Sequence, residues 1–188
     1  GISHKDFSIK FDPDITPIEA AGRRDFTINA MAYDPISEEL YDFFNGEEDL
    51  ENNVLRATTE SFKEDPLRVL RGMQFSSRLN LTADLDTLTM CQDLFDEVYE
   101  YDDTTDSYKM KTYIDKEGKE KRVLAKERIS EEWIKMLNKG KHLRKGIDFL
   151  FESEWIKAYP QIQNLKDVPQ DKKHHPEGDA LEHTIQAL

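Results

Sequence analysis

The pattern of apolar and polar residues divides the chain into a mixed part and a helical part. Over residues 5–12 apolar and polar residues alternate, which predicts a strand. Thr16-Pro17 predicts the start of a short helix, since proline fits the first helical turn. The helix is expected to continue or restart across residues 25–30. Turn-forming residues 34–38 then predict a β-hairpin whose second strand covers residues 39–44.

Helical periodicity begins near Thr58. Ser61 stands three residues before Glu64, the spacing of a capping box, and a long helix is predicted over residues 62–78. A second helix is predicted over residues 84–99, with an apolar stripe of one residue per turn. Further helices are predicted near residues 126–138, 143–152 and 153–159, and after 177.

Residues 100–123 interrupt the helical pattern. A polar, turn-prone segment precedes two short apolar-polar segments that flank Asp115–Lys119. This arrangement predicts an exposed hairpin inserted between helices, and a disordered excursion is the alternative. The fold class is therefore predicted as α+β, with a boundary near residue 60 between a mixed part and an all-helical part.

Composition and charge limit the class of protein. Hydrophobic residues make up 37% and charged residues 35% of 188 positions, and no apolar run has the ~20 residues of a membrane helix. The chain is expected to fold without contact with a membrane. Cys91 is the only cysteine, which excludes an internal disulfide and favours a cytoplasmic location.

The first candidate site is Arg23-Arg24-Asp25, with Asn29 four residues after Asp25. Arginine guanidinium groups are suited to phosphate, and the aspartate can accept a hydrogen bond from a ribose hydroxyl. A helix would place Asp25 and Asn29 on one face. The alternative is a helix start held by an Arg–Asp ion pair, with Asn29 as a cap.

The second candidate site is Glu64-Asp65-Pro66-Leu67-Arg68, followed by Arg71. Asp65, Arg68 and Arg71 are spaced three apart and would share a helix face, while the leucines face the core. A carboxylate beside a guanidinium offers an acceptor and donors together, which suits the Watson–Crick edge of a base. The alternative is an ordinary surface ion pair.

The two motifs, in this order, resemble the class II CCA-adding tRNA nucleotidyltransferase and bacterial poly(A) polymerase family. The resemblance covers residues 5–82 and 124–188. It implies part of a nucleotidyltransferase head over residues 1–60 and a helical neck and body over 61–165, with the hairpin at about 100–123 inserted. Residues 166–188 resemble the start of a truncated HD-type phosphohydrolase domain.

The resemblance also implies roles for individual residues. Asp65 and Arg68 match the pair that selects cytosine and adenine, and we call them the template pair. Many relatives carry arginine where this chain has Gln74, which removes one expected phosphate contact. The residues predicted to bind nucleotide are Arg24, Asp25, Asn29, Glu64, Asp65, Arg68 and Arg71. The segment Arg128–Trp133 resembles the family element that braces the neck, with Trp133 as a core anchor.

Charge is unevenly distributed along the chain. The net charge is −13, but residues 109–145 hold 13 Lys and Arg against 6 Asp and Glu, a net of +7. The resemblance places this region on the side that lies against tRNA, and phosphate attraction acts locally. The residues predicted to bind RNA phosphates are Lys109, Lys111, Lys119, Lys121 and Arg122. The alternative is that these residues only balance nearby acidic groups on an exposed loop.

The function implied by the resemblance is addition of CCA to tRNA from CTP and ATP, with Mg²⁺-assisted phosphoryl transfer. The family's glycine-rich loop and metal-binding carboxylates are expected to precede Gly1, and Asp12-Pro13-Asp14 is interpreted as a loop. The chain is therefore expected to be an internal fragment, inactive by itself, that binds nucleotide but not the metal. His183 matches one ligand of an HD-type metal site that is expected to be incomplete here. A poly(A) polymerase, a non-catalytic tRNA-binding module and, if the gene continues, a metal phosphohydrolase are the alternatives.

Overall fold

The computed structural model describes residues 14–188 except Lys172, His174, His175 and Glu177. The helices are α1 (Pro17–Gly22), α2 (Gly46–Glu51), α3 (Leu67–Leu79), α4 (Leu85–Val98), α5 (Lys126–Lys139), α6 (Leu143–Glu152), α7 (Pro160–Gln163) and α8 (Ala180–Ala187). The strands are β1 (Ala32–Asp34), β2 (Glu39–Tyr41), β3 (Val54–Leu55), β4 (Thr82–Ala83), β5 (Tyr99–Asp102), β6 (Ser107–Met110), β7 (Thr112–Ile114) and β8 (Glu120–Arg122). Short 3-10 turns cover Thr27–Asn29, Glu60–Glu64 and Trp155–Ala158. The predicted α+β class is confirmed, and the strand predicted over 5–12 lies outside the described residues.

The strands form small two-stranded sheets rather than one large sheet. β1 and β2 form the predicted hairpin, with Ala32 opposite Tyr41. β3 and β4 pair in parallel, which ties the chain before α3 to the chain after it. The 100–123 region is two hairpins, β5–β6 and β7–β8, rather than one. The strand expected across residues 108–114 is interrupted at Lys111, whose backbone N–H bonds to Val98 instead.

Helix α3 is the centre of the helical part and packs against α5 and α6. Its buried side includes Leu70 and Met73, which join one hydrophobic cluster with Leu94 of α4 and Leu150 of α6. Burying each such side chain contributes about 1.5–3 kcal/mol. Trp155 is fully buried in the same cluster, and its indole N–H donates to the Cys91 carbonyl at 2.7 Å. α3 is therefore fixed on several sides, so side chains on its remaining face have defined positions.

The helix predicted over residues 62–78 is wrong at its start. A 3-10 turn ends at Glu64, Asp65 is extended at φ −132° and ψ 101°, and α3 begins only at Leu67. Proline disfavours helical backbone in the residue before it, so Pro66 forces this break. The capping box predicted for Ser61 and Glu64 is absent, since the Ser61 hydroxyl donates to the Gly22 carbonyl at 2.7 Å.

The first turns of α1 and α4 differ in how well they follow the sequence pattern. The helix start predicted at Thr16-Pro17 is confirmed, and Thr16 caps α1 in a capping box with Glu19. Leu85, which the helical spacing would place on the apolar stripe of α4, is 81% exposed at the first position of the helix. Among the helices of the described part of the chain, none is long and apolar enough to cross a membrane.

Candidate functional site

Most of the predicted nucleotide-binding residues line one open cleft of about 610 Å³. The cleft lies between residues 23–29, which we call the head segment, and helices α3 and α5. Its walls hold six basic and four acidic side chains, so the cleft is locally positive in a chain of net charge −13. An anionic ligand is attracted by this local charge and not by the chain's total. The residues that line it are Arg23, Arg24, Asp25, Asn29, Asp65, Leu67, Arg68, Arg71, Phe75, Arg128, Glu131, Glu132 and Lys135.

Asp25 is a buried carboxylate that organises one end of the cleft. Its backbone is held by pairing with the 56–58 segment, where Thr58 N–H donates to the Asp25 carbonyl at 3.1 Å. Its Oδ2 accepts from Arg71 Nε at 2.6 Å, and its Oδ1 accepts from the N–H of Phe26 at 3.0 Å and from Asn29 Nδ2 at 3.1 Å. The predicted contact of Asp25 with Asn29 is therefore present, although the segment between them is a short 3-10 turn and not an α-helix. A carboxylate with three donors has little capacity left for a ribose hydroxyl.

Arg68 ties helix α3 to the head segment. Its Nη1 donates to the Ser61 carbonyl and its Nη2 donates to the Arg23 carbonyl, both at 2.6 Å. The ion pair found for Asp65 is with Arg128 of α5, at 2.7 Å. These two carbonyls hold the guanidinium in one orientation, and a guanidinium has five N–H donors, so others stay available to a ligand.

Asp65 accepts hydrogen bonds on both carboxylate oxygens. Oδ1 accepts from the Leu67 N–H at 3.1 Å, which is the turn that starts α3. Oδ2 accepts from Arg128 Nη2 of α5 at 2.7 Å. Asp65 is therefore held by the start of α3 on one side and by α5 on the other.

The other predicted residues differ in position. Arg24 is exposed at the mouth of the cleft, and Arg71 lies with its guanidinium carbon 5.4 Å from the centre of the Phe75 ring. Glu64 is exposed and does not line the cleft, because the break at Pro66 separates it from the α3 face. Gln74 is buried beside Arg78 and also lies outside the cleft, so it cannot replace the arginine expected there.

The wall formed by α5 was missed from sequence as a ligand-facing surface. Arg128, Glu131, Glu132 and Lys135 all project from it into the cleft. Their spacing of three and four residues is the sign of a shared helix face. The bracing role expected for this segment agrees with the contact of Arg128 with Asp65, and Trp133 packs against Tyr159 with ring centres 5.0 Å apart.

The residues predicted to contact RNA lie on the two hairpins, away from the cleft. Lys109 is 3.5 Å from Glu100 and 3.6 Å from Asp102, and Lys119 is 2.9 Å from Glu117. Lys111 donates to the Asp96 carbonyl. Lys121 and Arg122 are exposed on β8, and no ion pair of either is found among the described residues. RNA contact therefore stays a prediction, with Lys121 and Arg122 as its strongest members.

The structure also bears on metal binding. In residues 14–188, the four masked positions aside, no group of three or more His, Cys, Asp or Glu side chains could hold a metal ion. The cleft carboxylates Asp25 and Asp65 are each paired with an arginine, which does not fit metal coordination. His183 lies exposed on α8.

Comparison with known proteins gives a consistent result. Residues 4–56 match the model of the poly A polymerase head domain. The chain is 35% identical to a multifunctional CCA protein of Vibrio parahaemolyticus over 98% of its own length and 41% of that protein's length. The chain thus spans about two fifths of the length of the curated relatives it matches.

Solved structures agree on the fold. A CCA-adding enzyme solved with CTP has a TM-score of 0.57 and 27% identity, covering 79% of this chain and 32% of that one. A Thermotoga maritima CCA-adding enzyme complexed with tRNA has a TM-score of 0.55 and 24% identity, covering 86% of this chain and 34% of that one. Along its whole length the chain is therefore a relative of the CCA-adding nucleotidyltransferase and poly(A) polymerase family, as its motifs indicated.

Proposed function

We propose that this chain is the nucleotide-selecting part of a tRNA nucleotidyltransferase that adds CCA from CTP and ATP. The observation that carries the proposal is the gathering of Arg24, Asp25, Asn29, Asp65, Arg68 and Arg71 around one positive cleft. The names of the relatives, and the CTP and tRNA in the two similar structures, support the same substrates.

The chemistry of the template pair explains the choice of base. Cytosine and adenine both present an amino donor next to a ring-nitrogen acceptor on the Watson–Crick edge, while uracil and guanine present a carbonyl next to an N–H. Asp65 accepts from the amino group and Arg68 donates to the ring nitrogen, so the wrong bases would face like groups. Arg24 and Arg71 are suited to the triphosphate, because guanidinium groups bind phosphate oxygens with paired donors. Asp25 holds Arg71 in place for that task.

Mg²⁺ is part of the proposed function, with ligands other than the described residues. When bound, it would polarise the phosphate and stabilise the departing pyrophosphate. The residues of this cleft do not fit the metal, since Asp25 and Asp65 are each paired with an arginine and no group of three or more His, Cys, Asp or Glu side chains among the described residues could hold a metal ion. Their proposed task is limited to binding and orienting the nucleotide. We propose a cytoplasmic location, with which a buried, unbridged Cys91 is compatible.

The experiment is replacement of Asp65 by alanine in the purified protein, with binding of CTP, ATP, UTP and GTP measured by calorimetry. Each lost base contact should reduce the binding free energy of CTP and ATP by about 1–3 kcal/mol. The binding free energies of UTP and GTP should change little. Asp148→Ala is the matched control, because it removes an aspartate paired with Arg144 away from the cleft. An unchanged nucleotide preference in Asp65→Ala would dispose of the template assignment.

The alternatives give different results. A poly(A) polymerase is favoured by the head-domain match and would accept ATP only, so incorporation of CTP by the intact protein decides against it. A tRNA-binding module without catalysis would bind tRNA but show no base preference among nucleotides. A phosphohydrolase would require metal ligands beyond His183, which the described residues do not supply.

A further inference from the structure

One carboxylate of the cleft has an unsatisfied oxygen. Glu132 is only 2% exposed, and its Oε1 accepts from Lys135 Nζ at 2.8 Å. Its Oε2 is buried and finds no hydrogen-bond partner in the described part of the chain. A buried acceptor without a donor costs about 1–3 kcal/mol, and more when charged, so such a group is expected to gain a donor in some state of the protein.

A donor lies one helical turn away. Arg128 and Glu132 are four residues apart on α5 and line the same cleft, so their side chains are neighbours on one helix face. Arg128 donates to Asp65 instead, at 2.7 Å. The Arg128 side chain is 45% exposed, so part of it faces solvent.

We propose that Arg128 is a specificity-determining residue shared between two carboxylates, and that Glu132 is its second acceptor. In the free cleft Arg128 pairs with Asp65. When a base with an amino group binds, the amino group replaces Arg128 at Oδ2 of Asp65, and Arg128 moves to Oε2 of Glu132. The inference rests on the proposed function, since it concerns how the template pair selects its base.

The exchange of Arg128 between the two carboxylates increases the selectivity for bases, because the base must donate a hydrogen bond to Asp65. Cytosine and adenine bring an amino group that can replace the guanidinium at Asp65. At the same position uracil and guanine bring a carbonyl oxygen, which cannot donate, so Arg128 stays on Asp65 and Oε2 of Glu132 stays without a donor. The free energy gained when Arg128 donates to Glu132 is then obtained only with cytosine and adenine. The site therefore discriminates between bases without closer contacts to the base itself.

The experiment is Glu132→Gln, with CTP, ATP and UTP binding measured by calorimetry on the purified protein. A charge-assisted hydrogen bond is about twice as strong as a neutral one, so CTP and ATP binding should weaken about tenfold and UTP binding should stay unchanged. The substitution keeps the shape of the side chain, and thermal unfolding checks that the variant is folded. Glu127→Gln removes the same charge from the same helix outside the cleft and should leave all three affinities unchanged.

A double-mutant cycle distinguishes an Arg128 that moves to Glu132 from an Arg128 that only holds Asp65 in position. In an Arg128→Ala background, Glu132→Gln should have no effect on the ratio of CTP to UTP affinity, because no guanidinium remains to be received. If Arg128 only braces Asp65, Glu132→Gln leaves the ratio unchanged in both backgrounds, and the inference is overturned. A wild-type protein that binds CTP and UTP equally would instead overturn the proposed function together with the inference.

Discussion

The pair formed by Asp25 and Arg71 allows a quantitative test of how the cleft is built. The Asp25 side chain is 7% exposed and the Arg71 side chain 34%, with 2.6 Å between Oδ2 and Nε. Removing one partner of a fully buried pair costs about 3–5 kcal/mol, but the partial exposure of Arg71 lets water replace part of the contact. Asp25→Asn keeps the shape of the side chain and the oxygen that accepts from the Phe26 N–H. We therefore expect the free energy of unfolding, measured in urea, to fall by about 2 kcal/mol.

The same substitution decides what Asp25 does for the nucleotide. If it acts by holding Arg71, Asp25→Asn should weaken CTP binding in the wild type and add nothing in an Arg71→Ala background. If it binds the ribose directly, as the resemblance implied, it should weaken CTP binding equally in both backgrounds. The stability coupling in this cycle should be about 1–2 kcal/mol.

Asp49 provides the control. It is also buried, with a 7% exposed side chain, and pairs with Arg56 at 3.1 Å outside the cleft. The hydrogen bond that Arg56 donates to Asp49 raises the pKa of Arg56. Asp49→Asn should cost similar stability and leave CTP binding unchanged. A coupling of Asp25 and Arg71 below about 0.5 kcal/mol would refute the reasoning, because neighbours in contact exceed that value.

Two further predictions concern packing and RNA. A methyl group at Gly72 would lie 2.6 Å from Cζ of Phe149, so Gly72→Ala should destabilise the contact of α3 with α6 by about 1–3 kcal/mol in urea unfolding, and an unchanged midpoint would contradict this packing. Neutralising Lys121 and Arg122 together should lower the salt dependence of tRNA binding by about one unit of slope per lost phosphate contact. Neutralising Lys109 and Lys119 should change this slope less, because both are already paired with acidic side chains. Equal slopes for the two double variants and the wild type would leave the hairpins without a role in RNA binding.

Local rules were sufficient for the elements that depend on neighbours in sequence. The start of α1 at Thr16-Pro17, the hairpin of β1 and β2, and helix α4 all formed where the pattern placed them. Each is fixed by contacts within a few residues, so periodicity and turn chemistry determine it. The break before α3 could also have been derived, since Pro66 disfavours helix at Asp65.

The contents of the cleft were predicted in part. Six of the seven residues that the motifs predicted to bind nucleotide line it, and Glu64 lies outside it because of the break at Pro66. The α5 wall was not foreseen, because nothing in the spacing of Arg128 and Glu132 shows which element their helix face will meet.

The element types, the class of fold and the residue types suited to a nucleotide could therefore be derived from local pattern. The partners of those residues follow from the packing of distant segments. Arg68 binds carbonyls of residues 23 and 61, Asp65 binds an arginine 63 positions away, and Asp25 binds one 46 positions away. Such pairs depend on how α3 packs between the head segment and α5, and that packing is set by the summed burial of many apolar side chains rather than by any local signal.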